Sequence, residues 1–322
     1  MSNAAPANEV RREARAGLAD YAPTYGALAA LVLLVAVNSA VTPNFLDVNN
    51  FRNILLQVAP TVLVAVGMTL VIATGGIDLS VGSVMAIASA VAATSLGRGA
   101  GVAILLGLLA ATAAGLFNGA LISGFRIQPI IVTLALLISG RGVAQVLSDG
   151  SLVPFSDAGF QYLGRGSLAG VPVQVLLMAA VVALAAFLMR ATAFGRYVVA
   201  VGGNEAAARL AGVRVHRTKV TVYALSGLLA GLAGLIETAR LGASDAQKVG
   251  LNLELDAIAA TVVGGTPLTG GRATVLGTLV GALIMQVITT SFNMRGYSYA
   301  WGLVIKAAII IIAVYIQRPK LA

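Results

Sequence analysis

The sequence predicts an all-α membrane protein of about ten transmembrane helices, and three observations carry that prediction. Hydrophobic residues make up 58% of the 322 positions. Charged residues make up only 10%, against roughly 25% in soluble domains, too few to cover a water-soluble fold of this size. The apolar residues are also gathered into runs that match a hydrocarbon core of about 30 Å, which takes about 20 helical residues to cross. Mean hydropathy is +0.93.

The runs fall at 24–41, 54–74, 81–97, 101–123, 128–147, 171–189, 220–241, 273–291 and 300–317. A shorter one, 255–265, makes ten; it either borrows flanking residues or enters the membrane partway. The basic cluster Arg11, Arg12 and Arg15 precedes the first run, and no small-residue cleavage site is evident before Pro43. That run reads as a retained span rather than a secretory signal. Residues 1–20 read as a polar, mobile cytoplasmic tail, and 21–322 as one membrane domain.

Orientation follows from Lys and Arg, which concentrate in cytoplasmic loops. With the N-terminus inside and ten spans alternating, the 190–219 loop lies inside. It carries Arg190, Arg196, Arg209, Arg214, Arg217 and Lys219. Arg126, Arg272, Arg318 and Lys320 then also lie inside, and both termini are cytoplasmic. This distribution, rather than nucleic-acid binding, explains the net charge of +9. With no cysteine and one histidine, His216 in the basic loop, thiolate chemistry and a zinc site built from several His or Cys are excluded.

Two stretches interrupt the apolar pattern: Gly75-Gly76-Ile77-Asp78-Leu79-Ser80-Val81-Gly82-Ser83, and Gly264-Gly265 through Gly270-Gly271-Arg272. They stand at similar places in the two halves, as interrupted segments of inverted repeats do in transporters. Glycines at helical spacing (Gly227, Gly231 and Gly234; Gly277 and Gly281) suit close helix packing in lipid.

Charges inside spans need a partner or water. Glu237 and Arg240 share one helix face and suit a pair, or line a polar path. Arg141 is a further intramembrane charge, and Lys306 has Asp245, Glu254 or Asp256 as candidate partners. Asp78, after a Gly-Gly break, reads as a helix N-cap, with a place on a translocation path or against a partner left open. The outer loop 148–170 is either a docking surface or an ordinary connection.

Within the 190–219 loop, Asn204 is a good N-cap and Glu205 suits the first turn. Ala206, Ala207, Ala208, Arg209, Leu210 and Ala211 continue the helix, and Gly212 stops it. Such a short helix is marginal alone and needs a surface to lie on. Its Glu-Ala-Ala opening and closing glycine resemble the coupling helix of ATP-binding-cassette (ABC) importer permeases, with Gly212 seven positions after Glu205 rather than six.

TGGIDLSVGS (74–83), GRYVVAVGGNEAAARLAGVRV (195–215) and ELDAIAATVVGG (254–265) followed by GGR resemble, in order, the ribose/galactose-type permease family of ABC sugar importers. The resemblance runs from about residue 40 to the C-terminus. GMTLVIATGGIDLSVG, GRGVAQ and LELDAI resemble its galactofuranose branch most. It implies a type II importer fold with two inverted halves, used as a homodimer or paired with a related permease in the bacterial inner membrane. A periplasmic binding protein would deliver a monosaccharide, galactofuranose or a related pentose or hexose. A separate cytoplasmic ABC ATPase would bind ATP-Mg, so this chain needs no cofactor; it has no P-loop. The resemblance assigns ATPase coupling to Gly203–Gly212, and family-motif or path positions to Gly75, Gly76, Asp78, Ser80, Gly82, Glu254, Asp256, Gly264 and Gly265. An ion-coupled transporter of a small polar solute is the main rival; an intramembrane hydrolase and a scaffold without transport are lesser ones. Dependence on a partner ATPase separates all three from an ABC permease.

Overall fold

The computed structural model describes residues 7–317. Its helices are α1 (Ala7–Val41), α2 (Val48–Ala73), α3 (Val81–Ser95), α4 (Ala100–Gly124), α5 (Pro129–Leu147), α6 (Ala158–Arg165), α7 (Val173–Ala191), α8 (Ala193–Gly203), α9 (Glu205–Leu210), α10 (Val215–Leu241), α11 (Leu253–Val263), α12 (Val275–Met294) and α13 (Tyr299–Gln317). Among the described residues, eight helices are long and apolar enough to cross a membrane, and Ala300–Tyr315 is a shorter apolar helix. From Ala7 onward the backbone is helical and continuous with the first span; residues 1–6 lie outside the described residues, as do Arg318 and Lys320.

Helix ends follow local chemistry. Asp47 caps α2 by accepting the Asn49 N–H at 2.6 Å, and Pro129 opens α5 at a position where no N–H is needed. Gly242 ends α10 in the left-handed region at φ 73°, which glycine enters without steric cost. The short 255–265 segment folds as α11, and its flanks are not helical. Its 11 residues reach about 16 Å, so it enters partway.

The 148–170 loop holds more structure than its composition suggests. Strand β1 (Val153–Pro154) pairs antiparallel with β4 (Ala243–Ser244). Asp157 caps α6 through the Phe160 N–H at 2.7 Å. A small hairpin joins β2 (Ser167–Leu168) to β3 (Val171–Pro172).

Helices α2 and α10 cross antiparallel at the centre, with Gly67 against Ser226 and the Arg240 end of α10 at Leu56. Around them the contacts repeat with two-fold logic. Helix α3 packs on α4, α5 and α10, while α11 packs on α12, α13 and α2. Hydroxyl pairs repeat too: Thr238 on α10 donates to Ser89 on α3 at 2.6 Å, and Thr69 on α2 lies 3.4 Å from Thr261 on α11. The halves are therefore inverted repeats in which α2–α5 matches α10–α13.

That symmetry corrects one expectation. The counterpart of the break before α3 is the 242–252 segment before α11, not the Gly264–Arg272 stretch. Ser80 and Asn252 cap the two matched short helices. The match was hidden because Gly75 and Gly76 stand side by side in one break, whereas Gly242 and Gly250 lie eight residues apart in the other.

The glycine stripes pack as expected. Gly227 faces Ala111 and Gly115 of α4, Gly234 faces Met85 of α3, Gly277 faces Gly264, and Gly281 faces Ala260. Without a hydrophobic force between helices in lipid, such close approach supplies dispersion contacts that larger residues would block. Large apolar side chains such as Leu33, Leu109, Phe117, Ile138 and Ile311 project outward from the bundle, as a lipid-facing surface requires.

Candidate functional site

Two regions carry chemistry: the loop between α7 and α10, and the breaks preceding α3 and α11. In the first, α8 precedes the expected short helix, an element that sequence reading left within a loop. Asn204 turns the chain between them: its Oδ1 accepts the Ala207 N–H at 2.9 Å, so it caps α9 as expected. Gly212 takes φ +83° and lets the chain reverse. Val213 N–H then bonds Ala208 O at 3.0 Å.

Helix α9 is only six residues long, so it is held from outside. Ala208 packs with Val201 of α8 and Val215 of α10. Glu205 accepts from Lys219 Nζ at 2.6 Å and from Arg209 Nη2 at 3.0 Å, clamping α9 to the start of α10. The hydrogen bond from Lys219, then the charges of Lys219 and Arg209, hold the Glu205 carboxyl below its ordinary value. Leu210 at the end of α9 is 90% exposed. A large apolar side chain held out on a braced helix is suited to enter a partner's groove. Beside it Arg126, Arg214, His216 and Arg217 line a basic cleft.

In the second region, Asp78 is buried and is not the N-cap of α3; Ser80 is, and it makes no side-chain cap bond. Asp78 Oδ1 accepts the Ser80 N–H at 3.0 Å and the Ser80 hydroxyl at 2.6 Å. Its Oδ2 accepts the Ser226 hydroxyl of α10 at 2.9 Å. Asn118 of α4 completes the cluster by donating to Ser80 Oγ at 2.9 Å. The carboxylate therefore ties the break to α10, and Ser80 ties it to α4 through Asn118. Asp78 sits two residues too early to be the cap, and the Gly75-Gly76 pair upstream does not reveal that offset.

Gly75 and Gly76 lie beside the end of α2. Gly76 abuts the buried hydroxyl of Tyr223, and Gly75 meets the Gly270 backbone. Gly82 lies against Gly250 and the Glu254 carboxylate. Gly264 crosses Gly277, and Gly265 offers its carbonyl to Arg272 Nη2 at 2.6 Å. Asp256 is not near the Asp78 cluster: it holds Lys306 of α13 through both oxygens, at 3.0 and 3.1 Å, which chooses among the three acids considered for Lys306.

Glu237 and Arg240 make no ion pair within 4 Å among the described residues, although the Arg240 charge still acts on the Glu237 carboxyl. Glu237 accepts the Gly250 N–H, and Arg240 Nη1 reaches Leu56 O at 3.4 Å. Gly250 offers its N–H from the 242–252 break, whereas Leu56 O is left free within α2 because Pro60, four residues on, has no N–H to give it. Arg141 likewise binds backbone carbonyls, donating to Ala246 O at 2.9 Å and Val249 O at 2.6 Å. Sequence reading missed Ser226, Asn118, Tyr223 and Gly250 as parts of these clusters. A lone Asn in an apolar span, between Gly115 and Gly119, was the available signal for Asn118.

Comparison with known proteins agrees with this geometry. A family described as branched-chain amino acid transport system / permease component matches residues 50–314. The ribose import permease of Escherichia coli K12 is 44% identical over 91% of this chain and 93% of its own length. The galactofuranose transporter permease of the same strain is 42% identical, covering 91% and 89%. The L-arabinose ABC transporter permease of Azospirillum brasilense is 38% identical, covering 95% and 91%. No solved structure matches.

Proposed function

The chain belongs to the membrane permease family of ABC importers, with the type II permease fold, and on that premise we propose that it forms half of the path for a monosaccharide entering a bacterial cell. The family's members are permease subunits rather than enzymes, and ATP is hydrolysed by a separate partner. Ribose, galactofuranose and arabinose permeases among its relatives support a sugar as cargo. The ribose and galactofuranose permeases differ by only 2 percentage points in identity to this chain, 44% against 42%. The cargo class is therefore a pentose or hexose, including furanose forms.

The partners proposed are a cytoplasmic ABC ATPase at α9, a periplasmic binding protein at the outer loop around α6, and a second permease, identical or related. The permease lies in the inner membrane with both termini cytoplasmic, as its Lys and Arg distribution supports. The observation that carries the coupling role is α9 itself, capped, clamped by Glu205 and presenting Leu210 outward. An ion-coupled transporter is not supported: Glu237, the intramembrane acid that reading relied on, is engaged by the Gly250 N–H.

The test is reconstitution with the ATPase and binding protein in vesicles. ATP-dependent uptake of labelled ribose or galactofuranose is expected. Replacing Glu205–Ala208 by glycines should leave the chain in the membrane and abolish ATP-driven uptake. Unchanged uptake would remove the coupling role from α9.

A further inference from the structure

Three backbone crossings join the neighbourhood of α9 to the outer face. At the inner one, the Gly271 N–H donates to Ala73 O at 3.0 Å, and Gly202 at the end of α8 packs so closely on both that a Cβ there would meet Ala73 O. Gly270 touches Gly75 at the same point. At the central crossing, buried Gly82 and Gly250 meet backbone to backbone: a Cβ on Gly82 would strike Gly250 O, and one on Gly250 would come 2.7 Å from Gly82 O. At the outer end the Phe155 N–H bonds Gly242 O at 3.0 Å, and β4 pairs with β1 of the outer loop.

At the central crossing the first turn of α3, which directly follows the 74–80 break, meets the 242–252 break. Residues 74–80 approach it from the end of α2 near α8, and 242–252 from the end of α10 near α6. They are the symmetry-matched breaks of the two halves. Side chains packed between two segments absorb a small displacement by changing rotamer. Backbone against backbone has no such slack, so a shift of one segment must move the other.

We propose that the two breaks act as a single rocker pivoting where Gly82 crosses Gly250, and that these glycines are positioning residues which carry displacement of α9 to the outer segment 242–252. The inference rests on the reading of α9 as the ATPase contact. Motion passes from α9 through Gly202 to Ala73–Gly76, then through the Asp78-anchored segment to Gly82 and Gly250, and so to the face that a binding protein meets. Glu237 holds the pivot by accepting the Gly250 N–H, and Arg141 stiffens the outer arm through Ala246 O and Val249 O.

The chain has no cysteine, so a single thiol reports cleanly. Lys248, with its side chain 82% exposed on the outer arm, becomes Lys248→Cys in the complete complex reconstituted in vesicles. The rate of labelling by a membrane-impermeant maleimide is measured with and without a non-hydrolysable ATP analogue. The expected nucleotide effect is roughly 5-fold or more, the low end of site-to-site couplings. Adding Gly82→Ala should reduce it to less than about 2-fold while the ATPase still co-purifies. Gly202→Ala, at the far end of the route, should give the same loss and carries the test if Gly82→Ala does not assemble. A full nucleotide response in an assembled alanine variant overturns the proposal. So does a complex that takes up sugar yet shows no response at position 248. A wild-type chain that never assembles with an ATPase removes the coupling reading itself.

Discussion

The inner and outer breaks share a position in the repeat but are held by opposite chemistries. The inner one, 74–80, is pinned by a buried carboxylate, with Asp78 accepting from Ser80 and Ser226. The outer one, 242–252, is pinned through its own backbone, with Arg141 binding two carbonyls and Glu237 one N–H. Both arrangements solve one problem: unpaired backbone groups inside a membrane must find partners. The inner break solves it with a tight turn and one acid, and the outer with two charged side chains from neighbouring helices. Symmetry therefore dictates where a helix breaks, while local sequence dictates what holds the break.

The comparison can be broken most sharply at Asp78. Asp78→Ala leaves two serine hydroxyls and a backbone N–H without their acceptor and is expected to destabilise the protein by about 3 kcal/mol, since each bond to a charged group is worth about 1.5–3 kcal/mol. Thermal unfolding in detergent measures it, and Ser226→Ala should cost less, about 1–2 kcal/mol. A loss at Ser226 equal to that at Asp78 would place the whole anchor on α10.

Arg141→Met tests the outer anchor. It should cost about 2 kcal/mol and raise thiol labelling at Lys248→Cys whether or not nucleotide is bound. Unchanged labelling would mean that β4 and β1, not Arg141, hold the outer arm.

The pair joining α13 to α11 is a control outside both breaks. Lys306→Met alone strands Asp256 and should cost about 3 kcal/mol, whereas Lys306→Met with Asp256→Leu should recover most of it. Thermal unfolding of the two variants decides, and equal losses would mean that the pair matters for more than mutual neutralisation.

The smallest effect is expected at the surface. Glu205 has its pKa depressed in the fold, so its stabilisation is present above the unfolded carboxyl value and is lost as pH falls through the folded one. Its side chain is 43% exposed, so solvent screening limits Glu205→Gln to less than about 1 kcal/mol. Hydrogen exchange of the α9 amides should show protection falling in acid below the usual carboxylate range, and less so at high salt. Protection independent of pH would assign the hold on α9 to Ala208 packing alone.

Much of the architecture was legible in the sequence because each signal was local. Apolar runs of the right length located the spans, and Asn204, Glu205 and Gly212 announced a capped helix through residues a few positions apart. The glycine spacing of α10 and α12 predicted close packing, which the contacts of Gly227, Gly234, Gly277 and Gly281 realise. Asp78 was singled out correctly as a special residue, but its N-cap reading does not hold. The cap lies two residues later, and the partner that matters, Ser226, is 148 residues away.

By itself, then, the sequence determined that the chain is a helical membrane protein, where its long apolar spans and the break before α3 lie, and that a capped helix follows Asn204, because hydrophobic length, turn chemistry and capping act over a few residues. Only the tertiary structure decided which breaks are equivalent, that Lys306 takes Asp256, that Glu237 meets the Gly250 N–H, and that Gly82 lies on Gly250. Those choices follow from which backbone groups the folded chain leaves unpaired and which side chains it brings within reach, and no local pattern encodes that.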